Sequence, residues 1–299
     1  MKYDVIVVGG SFAGLSAAMQ LARARRRVLV VDAGQPRNRF AKHSHGFLGQ
    51  DGKVPVQIMV EAALQLAAYP SVAFFSGEAS MARKIDNAFS VALSDGQEKL
   101  AARLILATGV RDELPLIPGM HERWGATVLH CPYCHGYEFG DMQIGVLANH
   151  AVSTHQAMLL PDWGPTTYFT QGEFEPDAEQ LAALTRRGVQ IERTPVVELL
   201  GQAPKLDAVK LADGRVVPMA AVFTAPKTHL VSALAQQLGC EIVDGMTGPI
   251  IKVDDWKQTT VAGVFAAGDA ANLMPNATIA SASGVMAGSG AHASMVMAK

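Results

Sequence analysis

In the stretch His130-Cys131-Pro132-Tyr133-Cys134-His135-Gly136-Tyr137-Glu138 two thiols stand three positions apart, with an imidazole on each side. Three chemistries use such residues. A CxxC pair can cycle between dithiol and disulfide. The string CxxCH is also the attachment sequence of c-type haem, and two cysteines with two histidines could hold a metal. The local sequence leaves all three open, so the elements that position the motif have to decide.

Those elements begin at the start of the chain. Val5 to Val8 is an apolar run of strand length, followed by Gly9-Gly10-Ser11-Phe12-Ala13-Gly14. Leu15, Ala17, Ala18, Leu21 and Ala22 then recur at helical spacing, and Val28 to Val31 make a second strand ending at Asp32, 18 positions after Gly14 (32 − 14). This is a βαβ unit built for a dinucleotide. Glycines let backbone N–H groups approach a pyrophosphate at a helix N-terminus, and the acid accepts hydrogen bonds from the adenosine ribose. Ser11 stands where the middle glycine is usual; it narrows the approach without blocking it.

Phe89 to Leu93, the turn Ser94-Asp95-Gly96 and Leu104 to Leu106 predict a β-meander ending in Ala107-Thr108-Gly109. A second region repeats the plan, with a strand at Ile144 to Leu147, a helix at Ser153 to Leu160 and a strand at Thr167 to Thr170. Its own meander, turning at Ala212-Asp213-Gly214, ends at Val222 to Pro226. The chain closes with Gly263-Val264-Phe265-Ala266-Ala267-Gly268-Asp269 and a helix of small residues. The expected fold is α/β, two Rossmann-like nucleotide-binding domains of three-layer ββα type, the second inserted into the first. Residues 1–112 and 244–299 would form the first domain and 113–243 the second.

Composition agrees. The 299 residues suffice for two cores, and 49% apolar with 17% charged residues excludes a disordered chain. A formal net charge of −2 gives no footprint for nucleic acid. The basic run Arg23, Arg25, Arg26, Arg27 falls where the first helix should end, and cations there complement the helix dipole. The opening MKYDVIVVGG runs directly into a strand, so no secretory leader is expected, and three cysteines point to a reduced, cytoplasmic setting. Cys240 is expected to be a small buried residue. The uncharged tract from Ala270 to Ala298 is too rich in Ala, Ser and Gly to favour a bilayer, and is expected to be a buried helix.

With GGSFAG, ATG at 107–109, CPYC between the two nucleotide folds and GVFAAGDA at 263–270, the whole chain resembles the low-molecular-weight thioredoxin-reductase-like FAD-dependent disulfide oxidoreductases. The resemblance implies FAD in the first domain, a redox disulfide Cys131–Cys134 and a homodimer. It places Gly9, Ser11, Gly14 and Asp32 on the ADP half of FAD, and Asp269 near the ribityl and pyrophosphate. Arg39, His45, Gly109 and Gly268 join them as cofactor-binding positions. Haem is then disfavoured, since two nucleotide folds flank the motif, and zinc too, since no second CxxC or spaced histidine pair exists. CPYCHGYE and the loop from Pro36 to Phe47 look most like the branch holding the gliotoxin- and holomycin-type dithiol oxidases. Thioredoxin reductases carry an acid after the second cysteine; here His135 stands there, an imidazole able to act as acid or base. His130 is a second candidate proton carrier, and His43 a lesser one.

One departure bears on direction. The three glycine positions of the second nucleotide loop hold Ala148, His150 and Ser153, and the segment that should carry a basic cluster reads Thr170-Gln171-Gly172-Glu173-Phe174. Side chains would crowd a pyrophosphate, and a 2′-phosphate has no arginine to pair with. NADPH binding is therefore expected to be weak or absent. Electrons would run from a dithiol substrate (a small molecule, a peptide or a thioredoxin-like protein) through Cys131–Cys134 to FAD and on to O2. The rivals are a reductase fed by ferredoxin, another flavoprotein or NAD(P)H, and a non-catalytic flavin-binding redox sensor.

Overall fold

The computed structural model describes residues 2–297; Met1, Ala298 and Lys299, at the ends of the expected terminal segments, lie outside the described residues. The chain forms two compact units, one of Met1–Arg39, Val56–Arg111 and His229–Lys299, the other of Phe40–Pro55 and Asp112–Thr228.

The first unit starts with β1 (Lys2–Val8), α1 (Phe12–Arg23) and β2 (Val28–Asp32), then α2 (Pro55–Ala67) and β3 (Val72–Ser76). β4 (Ala79–Ile85), β5 (Ala88–Leu93) and β6 (Glu98–Leu106) make the meander, and β7 (Val110–Glu113) leads out. Val5 to Val7 and Val28 to Val31 are buried, as parallel strands covered on both faces must be. The sheet runs β3-β2-β1-β6-β5-β4.

The second unit contains β8 (Val128–Leu129), α3 (Pro132–His135), β9 (Ile144–Leu147), α4 (Ser153–Leu159), β10 (Thr166–Phe169), α5 (Ala178–Arg186) and β11 (Gln190–Glu192). A meander of β12 (Val196–Leu200), β13 (Ala208–Leu211) and β14 (Val216–Pro218) follows, then β15 (Ala221–Phe223), and β16 (Lys227–Leu230) leads back to the first unit. Its parallel sheet runs β11-β10-β9-β15-β8, with β12-β13-β14 as a separate antiparallel layer. The plan of the first unit thus recurs.

Back in the first unit come α6 (Leu234–Gln237), the hairpin β17 (Ile242–Asp244) and β18 (Pro249–Ile251), β19 (Val264–Ala266) and α7 (Ala277–Val296). β6 is long enough to carry two partners along one edge: Glu98 to Ala101 pair with β5, and Leu104 to Leu106 pair in parallel with β19. The small residues of α7 let it lie directly on α1. A Cβ at Gly284 would overlap the Ala13 carbonyl, and one at Gly288 would stand 2.6 Å from that of Ala17. Asn276 caps α7, its Oδ1 accepting from Thr278 N and Ile279 N. Among the described residues, no helix is long and apolar enough to cross a membrane.

Candidate functional site

In the first unit the glycine turn between β1 and α1 is shaped by close backbone approach. Gly9 has φ +109°, and a Cβ there would overlap the Ala107 carbonyl; a Cβ at Gly14 would overlap the carbonyl of Gly9. A Cβ at Gly10 would stand 2.6 Å from the Asp32 side chain, whose Oδ1 accepts from Gly10 N at 3.1 Å. Ser11 gives α1 no side-chain cap; its hydroxyl turns to Met59 Sδ at 3.6 Å. Gly109 (φ +68°) follows β6, and Gly268 (φ +71°) follows β19, its N–H donating to Ser283 Oγ at 2.9 Å. Gly9, Gly14, Asp32, Gly109, Gly268 and Asp269 thus gather at the carboxyl ends of β1, β2, β6 and β19, where open α/β sheets bind nucleotides. A turn whose backbone packs too closely for a Cβ at Gly9, Gly10 or Gly14, at a helix N-terminus and beside an acid at the tip of β2, suits the ADP half of FAD.

Arg37, which sequence reasoning did not single out, donates from Nη1 to Asp269 Oδ2 at 2.8 Å. Arg39, in the same 3-10 turn Arg37–Phe40, donates to Pro36 O at 3.0 Å.

In the second unit β8 delivers its last residue straight into the redox motif. Cys131 is extended, Pro132 opens α3 at a position where its missing N–H costs nothing, and Cys134 N donates to Cys131 O at 3.2 Å. The two cysteines are joined in a disulfide with Cα atoms 5.3 Å apart. Among the described residues no group of three or more His, Cys, Asp or Glu could hold a metal. The turn is seated on Trp163: a Cβ at Gly136 would lie 2.8 Å from that ring, and Tyr133 meets it edge-on with centroids 5.6 Å apart. Gln156, buried in α4, donates from Nε2 to His130 O at 2.5 Å, and the His130 ring lies 6.0 Å from that of Trp124. Trp163 and Gln156 act on the motif from distant sequence, and no local pattern announces either.

His135 is partly buried beside Cys134. Burial pushes its imidazole below its ordinary value, the charge of Glu138 draws it back up, and that of His45 pushes it down again. His45 belongs to this second unit and stands between Asp51 (3.6 Å) and Glu138 (3.4 Å). His43 Nδ1 contacts Gly52 O at 3.0 Å. Cys240 is buried in the first unit against Thr259 Oγ1.

The second nucleotide loop is filled by its own side chains. His150 Nδ1 accepts from Val152 N at 3.3 Å and Ser153 Oγ from Asn149 N at 3.4 Å, while Ala148 is buried. Beyond β10, Glu175 accepts from Thr170 Oγ1 at 2.9 Å and from Arg193 Nε at 3.0 Å.

A dinucleotide cradle in one unit and a cysteine disulfide at a sheet end in the other define a disulfide oxidoreductase that works with a dinucleotide cofactor. The chain belongs to the pyridine nucleotide-disulphide oxidoreductase family, whose pattern matches residues 3–156 and 167–284, and within it is thioredoxin-reductase-like. Members of this group are FAD flavoproteins. The thioredoxin reductase sirT of Leptosphaeria maculans is 31% identical over 305 residues, covering 96% of this chain and 93% of the relative. An oxidoreductase from Agrobacterium tumefaciens is 49% identical with a TM-score of 0.95, covering 100% of both chains. The crystal structure of HlmI is 36% identical with a TM-score of 0.91, covering 99% of this chain and 93% of that one.

Proposed function

We propose that this oxidoreductase oxidises a dithiol substrate to a disulfide with O2 as the acceptor and does not draw electrons from NADPH. The observation that carries the reading is the self-occupied second loop. The amides of Asn149 and Val152, which a nucleotide's phosphates would seek, are already taken by Ser153 and His150. With no arginine in 170–174, nothing in that segment answers a 2′-phosphate. The reductase name of the Leptosphaeria maculans relative describes that protein and leaves the direction in this chain to experiment.

The chain's own residues support a thiol-exchange cycle. A substrate thiolate attacks Cys131 Sγ, forming a mixed disulfide as the Cys131–Cys134 bond breaks and Cys134 leaves as a thiolate. The second substrate thiol attacks the substrate sulfur of that mixed disulfide, closing the substrate disulfide and releasing Cys131. Two electrons and two protons have then passed from substrate to the CxxC pair. His135, held toward its neutral form by burial, accepts the proton of the attacking thiol and returns one to the leaving sulfur. His130, anchored through its carbonyl by Gln156, flanks the pair on the other side. Gly9, Gly14, Asp32 and Asp269 would hold FAD, which would supply a two-electron acceptor for the reduced pair, with O2 as the terminal oxidant and hydrogen peroxide as its product.

Tyr133, Tyr137 and Leu48 are exposed around the redox turn and its neighbouring loop, which favours an apolar small-molecule or peptide dithiol over a polar one. A thioredoxin-like protein is the alternative substrate, and the working assembly in this reading is a homodimer. Oxygen uptake with dithiothreitol as surrogate tests the proposal. The expected result is one O2 consumed and one peroxide formed per dithiol, lost in Cys131→Ser and Cys134→Ser while the bound flavin keeps its colour. No uptake by the wild type, or uptake retained in both variants, would refute it.

A further inference from the structure

Five titratable side chains of the second unit converge from two segments: His43, His45 and Asp51 from residues 40–55, and His135 and Glu138 from the redox turn. His45 Nε2 stands 3.4 Å from Glu138 Oε1, and its Nδ1 3.6 Å from Asp51 Oδ1. Asp51 is engaged by its own loop, accepting from Gly46 N at 2.8 Å, and the His43 ring lies 6.3 Å from that of His45. Glu138 follows His135 by three residues, in the 3-10 turn Gly136–Phe139 that His135 leads into, and its charge acts on the His135 ring. The Glu138 carboxylate therefore serves two imidazoles carried by different parts of the chain. The exchange cycle above uses His135 and assigns nothing to His45 or Glu138.

We propose that His45 and Glu138 are positioning residues for His135, through which the loop 40–55 sets the charge state in which the redox turn meets its substrate thiol. The physical basis is Coulombic. A nearby carboxylate favours an imidazolium, a nearby cation disfavours it, and partial burial strengthens both effects. Each interaction acts on His135 with its own sign: Glu138 raises its proton affinity and His45 lowers it. Removing one partner should therefore move His135 opposite to removing the other. A pair that merely held the loop in place would have no such signature.

The inference rests on the reading of His135 as proton carrier, and the test separates the two. The His135 side-chain resonance of the 15N-histidine-labelled, FAD-bound protein is identified by its loss in His135→Gln. Its titration midpoint is then compared in wild type, Glu138→Gln and His45→Asn, with His45→Gln as the substitute should His45→Asn not fold. The expected midpoint moves to lower pH in Glu138→Gln and to higher pH in the His45 variant. The acid limb of the rate at which dithiothreitol reduces the Cys131–Cys134 disulfide should follow in the same directions. Midpoints that stay put, or that both move the same way, overturn the proposal. Opposite midpoint shifts with an unmoved rate profile uphold the pair and contradict the proton-carrier reading alone.

Discussion

Arg37 Nη1 and Asp269 Oδ2 lie 2.8 Å apart, tying the turn that follows β2 to the turn that follows β19 across 232 residues of sequence. Their side chains are 16% and 19% exposed, so the bond is partly shielded from solvent. Hydrogen bonds to charged groups in such settings contribute about 1.5–3 kcal/mol. Arg37→Leu should lower the unfolding free energy in urea by about that amount, and should weaken FAD retention because Asp269 loses its anchor. An unchanged urea midpoint with full flavin content would show that the bridge holds nothing.

Gly136 is the seat of the redox turn on Trp163. An alanine there would place its Cβ 2.8 Å from the indole, and overpacking of this kind costs about 1–3 kcal/mol. Gly136→Ala is expected to slow reduction of the disulfide by dithiothreitol as well as lower stability. Adding Trp163→Leu to it, which removes the obstructing ring, should restore part of the exchange rate. No rescue would mean that the turn is held by other contacts.

The burial of His135 has a stability consequence. Its folded-state pKa is depressed below the ordinary 6.5, so the unfolded chain binds the proton more readily. Stability from this group is therefore intact above about pH 6.5 and is lost as pH falls through the lowered folded value. His135→Gln should flatten the fall. Urea midpoints of wild type and variant, measured from neutral to mildly acid pH, should converge with acid; parallel curves would contradict the assignment.

Much of the fold is legible because its signals are local. The apolar runs at Val5–Val8 and Val28–Val31, the glycines between them and Asp32 specify a βαβ unit within some thirty residues, and the same grammar marks β9, α4 and β10. The return of the chain to the first unit is less so. α6 and Cys240 pack with Phe89, Leu93 and Leu104 in one core cluster, so the first unit resumes at His229, ahead of the strand Ile242–Asp244 where the pattern suggests a boundary. Residues 40–55 show no periodicity of their own, and their grouping with the redox turn follows from contacts across some ninety positions. The same holds for His45 beside Glu138, for Trp163 under Gly136, and for Arg37 reaching Asp269: each is a product of the chain's path, which residue types alone do not encode.

The direction of electron flow is tested most directly by anaerobic titration of the oxidised protein, following the visible flavin band. Bleaching by dithiothreitol is expected in the wild type, none in Cys134→Ser, and none by micromolar NADPH in either. Rapid bleaching by micromolar NADPH, with no response to the dithiol, would contradict the proposed direction and make the protein a reductase whose filled second loop opens for its nucleotide.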